Sequence, residues 1–437
     1  MSGCKGLVIA HNPLSKETNN GKTYASLLKN YEGKNLCQIY VSNLKPDYEI
    51  CKEYYKINEK DILFNRKNIK QKYNSDNEKK NVASSKLKDE IRYFFRKLSA
   101  SDNGKVIRNF LWGRKTLLSN DLREWIDEQK PDFVFWGNDY IFRMLSLVNE
   151  ICDMYSLPLV VNLGDDYFSD RKGNLFYKIY LKHLQKEFKK IVDRAEVIIV
   201  CSEKMKNKLY DEFGGNYVVA LNSVDDNEKF ERKHINKKNI KISYIGNLGL
   251  NRWKTICMIA SAVEKLENKY NIQLNIFSGE KLSTGVMKKM QSFSCLKYNG
   301  SVYGKALFEK KEETDILLLV ESFDKKYKNL LETAVSTKVP EYMNSQRAIL
   351  AVGPKYSAAV DYLRVNDLAE VVSEEDVQKI INAIEKIIQN DLKRNERIEK
   401  AQELVKKCHL QSVNANIVST YIEKALRVKR SLNVPKN

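Results

Sequence analysis

Short apolar runs that stop at polar or glycine residues recur along this chain, and stretches with helical spacing separate them. "GLVIAHN" (6–12) reads as a buried strand, and the polar loop "PLSKETNNGKT" then feeds a helix beginning near Tyr24. "NLCQIYVSN" reads as a second strand. After a long weakly periodic stretch come "PDFVFWGND" (131–139), "LPLVVNLGDD" (157–166) and "AEVIIVCSE" (195–203), each a β-rich run with a polar end. Helical spacing covers Ile141 to Tyr155 and Tyr177 to Ala195, and "YVVALNSVDD" closes the set. Strands separated by helices predict a parallel sheet, with ligand chemistry at the carboxyl ends of its strands.

The polar, charged stretch "NEKFERKHINKKN" (227–239) has no apolar period and is read as the domain boundary. The alternation then restarts with "IKISYIGNLG", a helix from about Trp253, "IQLNIFSGE", a helix near Val286, "LKYNGSV", a helix near Lys305, "TDILLLVES" and "RAILAVGP". Two sets of similar size predict an α/β chain of two Rossmann-like, doubly wound domains facing each other across a cleft. Their spans are 1–226 and 239–410, with residues 411–437 forming a terminal helix that crosses back to the first domain. Val377, Ile380, Ile381, Ile384, Ile387 and Ile388 follow one helical face, and Ser373 with Asp376 suggests a capping box ahead of it.

Composition bounds the function class. The 437 residues fit about two domains, and 43% hydrophobic content is ample for two cores. No apolar run approaches the roughly 18 residues of a membrane span, and "MSGCKGLVIA" lacks a signal-type apolar region, so the expected location is the cytoplasm. The eight cysteines show no C-x-x-C pair and read as reduced core thiols. A net charge of +19 points to an anionic partner, a membrane surface or simply a lysine-rich composition. From about 52 to 125 runs a basic insertion in which "RYFFRKL" and "IRNFLWGRK" mix cations with aromatics. That mixture suits a helix on an anionic interface, and equally a helix packed into its own domain.

The strand-end loops carry the candidate chemistry. In "YIGNLGLNRWK", Gly246 and Gly249 follow a strand, and Arg252 and Lys254 stand at the start of the next helix. Glycines admit a ligand close to the backbone, and a helix start with two cations suits a diphosphate; the alternative is a tight turn with solvated basic residues. In "STKVPEYMNSQRAILAVGP" (336–354), Ser336, Thr337 and Lys338 can present hydroxyls, amides and an ammonium to phosphate oxygens. Glu341, one turn on, would be repelled by phosphate and so suits a ribose diol, or forms an ordinary surface pair with Lys338.

In order and content, "YIGNLGLNRWK", "IFSGE", "YNGSV", "DILLLVES" and "STKVPEYMNSQRAILAVGP" resemble the donor-binding half of GT-B glycosyltransferases of the retaining family 4 kind, especially bacterial surface-polysaccharide enzymes. The resemblance is good over 240–363 and looser in the N-terminal half. It implies a glycosyltransferase that uses a nucleoside-diphosphate sugar as substrate, with no cofactor. Arg252 and Lys254 would meet the diphosphate, Glu341 the ribose, and residues 278–280 and 301–303 the base. The acceptor, a glycan or a polyprenyl-diphosphate-linked sugar, would belong to the N-terminal domain. Two positions depart from the pattern: Asn247 stands where the family carries an arginine, and Thr333 where it carries the first glutamate of its pair.

In the N-terminal half, Gly21 in "NNGKT" fits a loop that approaches the donor phosphates, although the first glycine of a P-loop is missing. Asp165 and Asp166, like Asn138 and Asp139, end strands; one of them is a candidate general base, and all are equally candidate helix caps. His11, after the first strand, is a further candidate, against the commoner structural role of a lone histidine. The absence of any D-x-D predicts metal independence, with basic residues carrying the diphosphate charge. Two other readings remain: a nucleotide-sugar epimerase of the same architecture, and a basic nucleic-acid binder. No nucleic-acid-binding signature supports the second, so no nucleic-acid partner is expected.

Overall fold

The computed structural model describes residues 4–16, 19–57, 104, 106–107, 117–137, 141–169 and 173–432. Most of the basic aromatic insertion, with Asn138 and Asp139, lies outside the described residues. The chain divides into two compact units. One comprises Met1–Val200, Lys206–Val219 and Ala415–Asn437, and the other Cys201–Met205 and Ala220–Asn414.

The first unit is built on β1 (Gly6–Ala10), β2 (Gly33–Tyr40), β3 (Cys51–Lys56), β4 (Phe133–Gly137), β5 (Leu159–Leu163), β6 (Ala195–Val200) and β7 (Tyr217–Val219). They form a parallel sheet in the order β3-β2-β1-β4-β5-β6-β7. Every residue of β1, β4 and β5 is buried, as their unbroken apolar runs require in a sheet covered on both faces. Phe133 and Phe135 receive Tyr31 and Tyr24 edge-on, at centroid separations of 5.3 and 6.1 Å. Crossover helices begin at side-chain caps: Ser119 accepts from the Leu122 amide and Asn174 from the Tyr177 amide.

The second unit repeats the plan with β8 (Ile240–Ile245), β9 (Ile272–Phe277), β10 (Leu296–Tyr298), β11 (Ile316–Val320), β12 (Ala348–Val352) and β13 (Glu370–Val372), in the parallel order β10-β9-β8-β11-β12-β13. Helices Arg252–Glu264, Thr284–Gln291 and Val377–Gln389 supply one apolar layer over this sheet. Helices Lys338–Asn344, Ala358–Val365 and Asp391–Leu404 supply the other. In both sheets the strand order reverses direction once, between β1 and β4 and between β8 and β11. Such reversal points leave a crevice at the carboxyl ends of the strands, where doubly wound folds bind ligands.

Four local features differ from the sequence reading. Residues 52–56, read as the start of the lysine-rich insertion, belong to edge strand β3, whose exposed Lys52 and Glu53 are charged as suits a strand paired on one edge only. Strand β13, three residues long, was too short to show a period. The cap of helix Val377–Gln389 is Asp376 itself, whose carboxylate accepts from the Gln378 and Lys379 amides at 2.8 and 3.2 Å. Finally, the stretch 227–239 packs onto the second unit. Buried Phe230 stacks on Phe308 at 4.4 Å, Lys311 bonds Glu228 at 3.2 Å, and Arg347 binds the Glu231 carbonyl at 2.6 Å. The eight cysteines are free thiols, and burial pushes the Cys51 thiol up to about 12.

Candidate functional site

In the second unit, β8 and β11 run side by side in a register that pairs Ile242 with Ile316 and Ser243 with Leu317. Continued to the strand ends, that register sets Gly246 opposite Val320 and Asn247 opposite Glu321. Gly246 adopts φ +146°, a conformation that strains any side chain-bearing residue. A Cβ there would stand 2.2 Å from Cε and 2.3 Å from Nζ of Lys338. The glycine is required, and the group it makes room for is the ammonium expected to meet phosphate.

Lys338 opens the short helix Lys338–Asn344. Its Nζ donates to the Tyr244 hydroxyl at 2.9 Å and lies 4.3 Å from the centre of that ring, a cation–π contact. The Tyr244 hydroxyl in turn donates to the Asn247 carbonyl. Tyr342, fully buried, locks the same helix to β8: its hydroxyl donates to the Ile245 carbonyl at 3.1 Å and accepts from the Ile245 amide at 3.3 Å. Burial pushes the Tyr342 phenol well above its usual range, so it stays a neutral brace. Among the described residues, no carboxylate pairs with Lys338.

Arg252 and Lys254 are held differently. Arg252 Nε and Nη2 both reach one oxygen of Glu321, at 2.9 and 2.8 Å, and both side chains are largely buried. Gly353, from "AVGP", lies where a Cβ would come within 2.8 Å of the Glu321 Cβ, and the Thr255 hydroxyl bonds the Glu321 carbonyl at 3.0 Å. Lys254 Nζ sits 3.1 Å from Asp324, whose carboxylate also accepts from Asn251 at 2.6 Å. The Asn251 bond and then the Lys254 bond hold the Asp324 carboxyl below the usual range. Two of the three expected diphosphate cations are thus neutralised by carboxylates at the end of β11. Glu321 and Asp324 were missed in the sequence; "VESFD", acidic directly after an apolar run, was their signal.

The other expected donor residues lie in the same two loops. Asn247 is exposed and its side-chain oxygen accepts from the Gly249 amide. The Ser336 hydroxyl accepts from the Lys338 amide at 3.3 Å, Thr337 is exposed, and Glu341 is half-buried in the first turn of helix Lys338–Asn344.

In the first unit, His11 follows β1, and its carbonyl accepts from the Val41 and Ser42 amides. Buried Gln38 fastens the following loop by bonding the Leu14 amide at 2.8 Å and the Asn12 carbonyl at 3.0 Å. A Cβ on Gly21 would lie 2.1 Å from the Pro13 carbonyl oxygen. The carbonyl of its own loop packs against this glycine, so no larger residue fits there.

The two aspartates after β5 separate into different roles. Asp166 accepts from the Phe168 and Ser169 amides at 3.1 and 2.9 Å, and Lys208 stands 2.8 Å from its other oxygen, with the Asp166 side chain 1% exposed. It is the clasp of a turn. Asp165 accepts from the Tyr167 hydroxyl at 3.0 Å; burial, reinforced by the charge of Asp166 and opposed by the Tyr167 bond, pushes its carboxyl above the usual range. A carboxyl raised by burial at a strand end is suited to accepting a proton. Among the described residues, no group of three or more His, Cys, Asp or Glu is placed to hold a metal ion, and no helix is long and apolar enough to cross a membrane.

No protein-family model matches the chain, and no curated protein matches its sequence. Solved structures do match. Sucrose-phosphate synthase from Thermosynechococcus elongatus aligns over 97% of this chain and 100% of its own, with a TM-score of 0.62 at 9% identity. HepE of Anabaena in complex with UDP aligns over 96% and 100%, with a TM-score of 0.61 at 10% identity. WaaG, a glycosyltransferase involved in lipopolysaccharide biosynthesis, aligns over 95% and 99%, with a TM-score of 0.59 at 11% identity. At such identities the likeness is one of architecture, and it agrees with two parallel sheets that share one order over six strands, the first carrying a seventh: the chain has the GT-B fold of glycosyltransferases.

Proposed function

We propose that the chain is a glycosyltransferase that moves a sugar from a nucleoside-diphosphate sugar to a glycan or lipid-linked acceptor in surface-polysaccharide synthesis, without a divalent ion. The observation that carries this reading is Lys338, a cation with no carboxylate partner among the described residues, held over Gly246 where the strand order of the second sheet reverses. A diphosphate there would gain a charge-assisted bond from Lys338, with Ser336 and Thr337 as further donors and Glu341 on the ribose. Arg252 and Lys254, with Glu321 and Asp324, hold the shape of that loop. The bound UDP of HepE, and the lipopolysaccharide role named for WaaG, agree in kind with this donor and this class of acceptor.

In the first unit the proposal gives Asp165 the proton of the acceptor hydroxyl, His11 a polar contact, and Asp166 the upkeep of the turn that positions Asp165. Residues of the basic insertion would bring the protein to the inner face of the plasma membrane. The test is thermal unfolding against a panel of UDP-, GDP-, dTDP- and ADP-sugars. One donor at about a hundred times its Kd should stabilise the fold by about 2.7 kcal/mol. Free nucleoside diphosphate should then appear only when an acceptor glycan is added, which separates transfer from epimerisation. A flat response to the whole panel would overturn the reading.

A further inference from the structure

Helix Leu175–Arg194 crosses from the end of β5 to the start of β6, so its first turn stands at the carboxyl end of the first sheet. Gly173, at φ +135°, and the Asn174 cap start it there. Its inner face is a buried row of Tyr177, Leu181, Leu184, Phe188, Ile191 and Val192, and Gln185 ties it to the aspartate turn by bonding the Phe168 carbonyl at 2.7 Å.

The outer face is unlike that of a solvated helix. Leu175, Phe176 and Ile179 are 69%, 71% and 49% exposed, the one place among the described residues where three large exposed apolar side chains fall within five positions. Behind them, exposed Lys178, Lys182, His183, Lys186, Lys189 and Lys190 share the same side of the helix, within about 160° of arc at 100° per residue. Lys189 and Lys190 are paired with Asp193 and Glu187. Among the described residues, no acid pairs with Lys178, Lys182 or Lys186.

The geometry points to a docking surface for an anionic lipid bilayer, with Leu175, Phe176 and Ile179 entering the acyl boundary and the three unpaired lysines lying on headgroup phosphates. Each half of the pattern limits the choice. A polyanion without an apolar phase, such as RNA, leaves the three apolar side chains in water, and an apolar partner leaves the lysines without counter-charge. The surface is formed by residues outside the 52–125 stretch of the sequence and does not depend on the donor reading. If that reading holds, the surface sets the Asp165 turn at the level where a lipid-linked acceptor would present its sugar.

The experiment is flotation of the full chain with vesicles of phosphatidylcholine containing one-third phosphatidylglycerol, and with pure phosphatidylcholine vesicles. The protein should float with the anionic vesicles at low salt, leave them at high salt and ignore the neutral ones. A triple Lys178→Glu, Lys182→Glu, Lys186→Glu variant should partition about 100-fold less, at about fivefold per lysine. A triple Leu175→Ser, Phe176→Ser, Ile179→Ser variant should lose at least about tenfold. All six side chains are exposed, so both variants should melt like the parent and keep its donor-induced stabilisation. That control separates failure of this surface from failure of the donor site. Equal flotation of either variant and the parent, equal binding to neutral vesicles, a parent that stays in solution, or an apolar-triple variant that changes only from dimer to monomer would each overturn the assignment.

Discussion

The carboxyl ends of the two sheets offer a direct comparison, because the strands beneath them are threaded in the same order. Around β8 and β11 the second unit places glycines and cations; Arg252 and Lys254 are occupied by carboxylates of the loop after β11, whereas among the described residues no carboxylate pairs with Lys338. After β5 the first unit places two adjacent aspartates. One is consumed by two backbone amides and a lysine, and the other is kept half-buried with a raised pKa. The carboxylate pairs of Arg252 and Lys254 and the clasped Asp166 act as scaffold, and the chemistry proposed falls to Lys338 in one loop and Asp165 in the other. Their sign differs: positive where a diphosphate is proposed, and proton-accepting where a hydroxyl is proposed.

The largest expected effect tests the first-unit side. Asp165→Asn should lower the transfer rate by about a hundredfold or more, the usual contribution of a positioned general base. It should also raise the melting temperature at neutral pH. A carboxyl whose folded pKa is raised loses stability for the fold as pH climbs through the window between its unfolded and folded values, so removing its charge helps above that window and is neutral below it. The acid limb of kcat/KM should stand above the ordinary carboxylate value of about 4 in the parent and vanish in the variant. An unchanged rate for Asp165→Asn would undo the division of roles between the two aspartates.

Next comes Arg252→Ala. It leaves the Glu321 carboxylate, only 5% exposed, without its partner, and should cost about 3–5 kcal/mol of stability, read by denaturant unfolding. A loss of donor affinity with unchanged stability would instead return Arg252 to the diphosphate. Lys338→Ala removes charge-assisted bonds worth about 1.5–3 kcal/mol and should weaken nucleoside diphosphate binding about tenfold or more by calorimetry. Gly246→Ala should weaken binding through the same group, since its new methyl displaces the Lys338 ammonium. If Lys338→Ala binds like the parent, the donor site as described is lost.

How much of this was legible beforehand follows from range. The strands with unbroken apolar runs, such as "ILLLV" and "FVFWG", were readable because a sheet covered on both faces needs no alternation. Strand β3 hid in a lysine-rich context, and the polarity of 227–239 concealed its apolar anchors Phe230 and Ile235. In the site, the loops and the residue types were readable, but their bookkeeping was not. Lys338 and Tyr244 are 94 residues apart, and Arg252 and Glu321 are 69. No local pattern states which carboxylate will neutralise which cation, or which of two neighbouring aspartates will turn inward. Gly21 adds a contact no local pattern states: the carbonyl of Pro13 packs against it.

The smallest effect is the most discriminating. From sequence, Lys254 and Lys338 are equivalent cations, and their alanine variants should weaken donor binding alike. With Asp324 at 3.1 Å and the Lys254 side chain 51% exposed, Lys254 carries little net charge toward a ligand. Removing it breaks a surface pair worth about 0.2–1 kcal/mol, so Lys254→Ala should weaken nucleoside diphosphate binding by less than about fivefold. Asp324→Asn runs the other way: it releases the Lys254 ammonium while the amide can keep the contact with Asn251. Affinity in that variant should therefore rise by a few-fold at low ionic strength, and the gain should fade as salt screens it. A fall in affinity for Asp324→Asn would mean that the pair orders the loop more than it neutralises it, and the charge contrast between the two sheet ends would then rest on Lys338 alone.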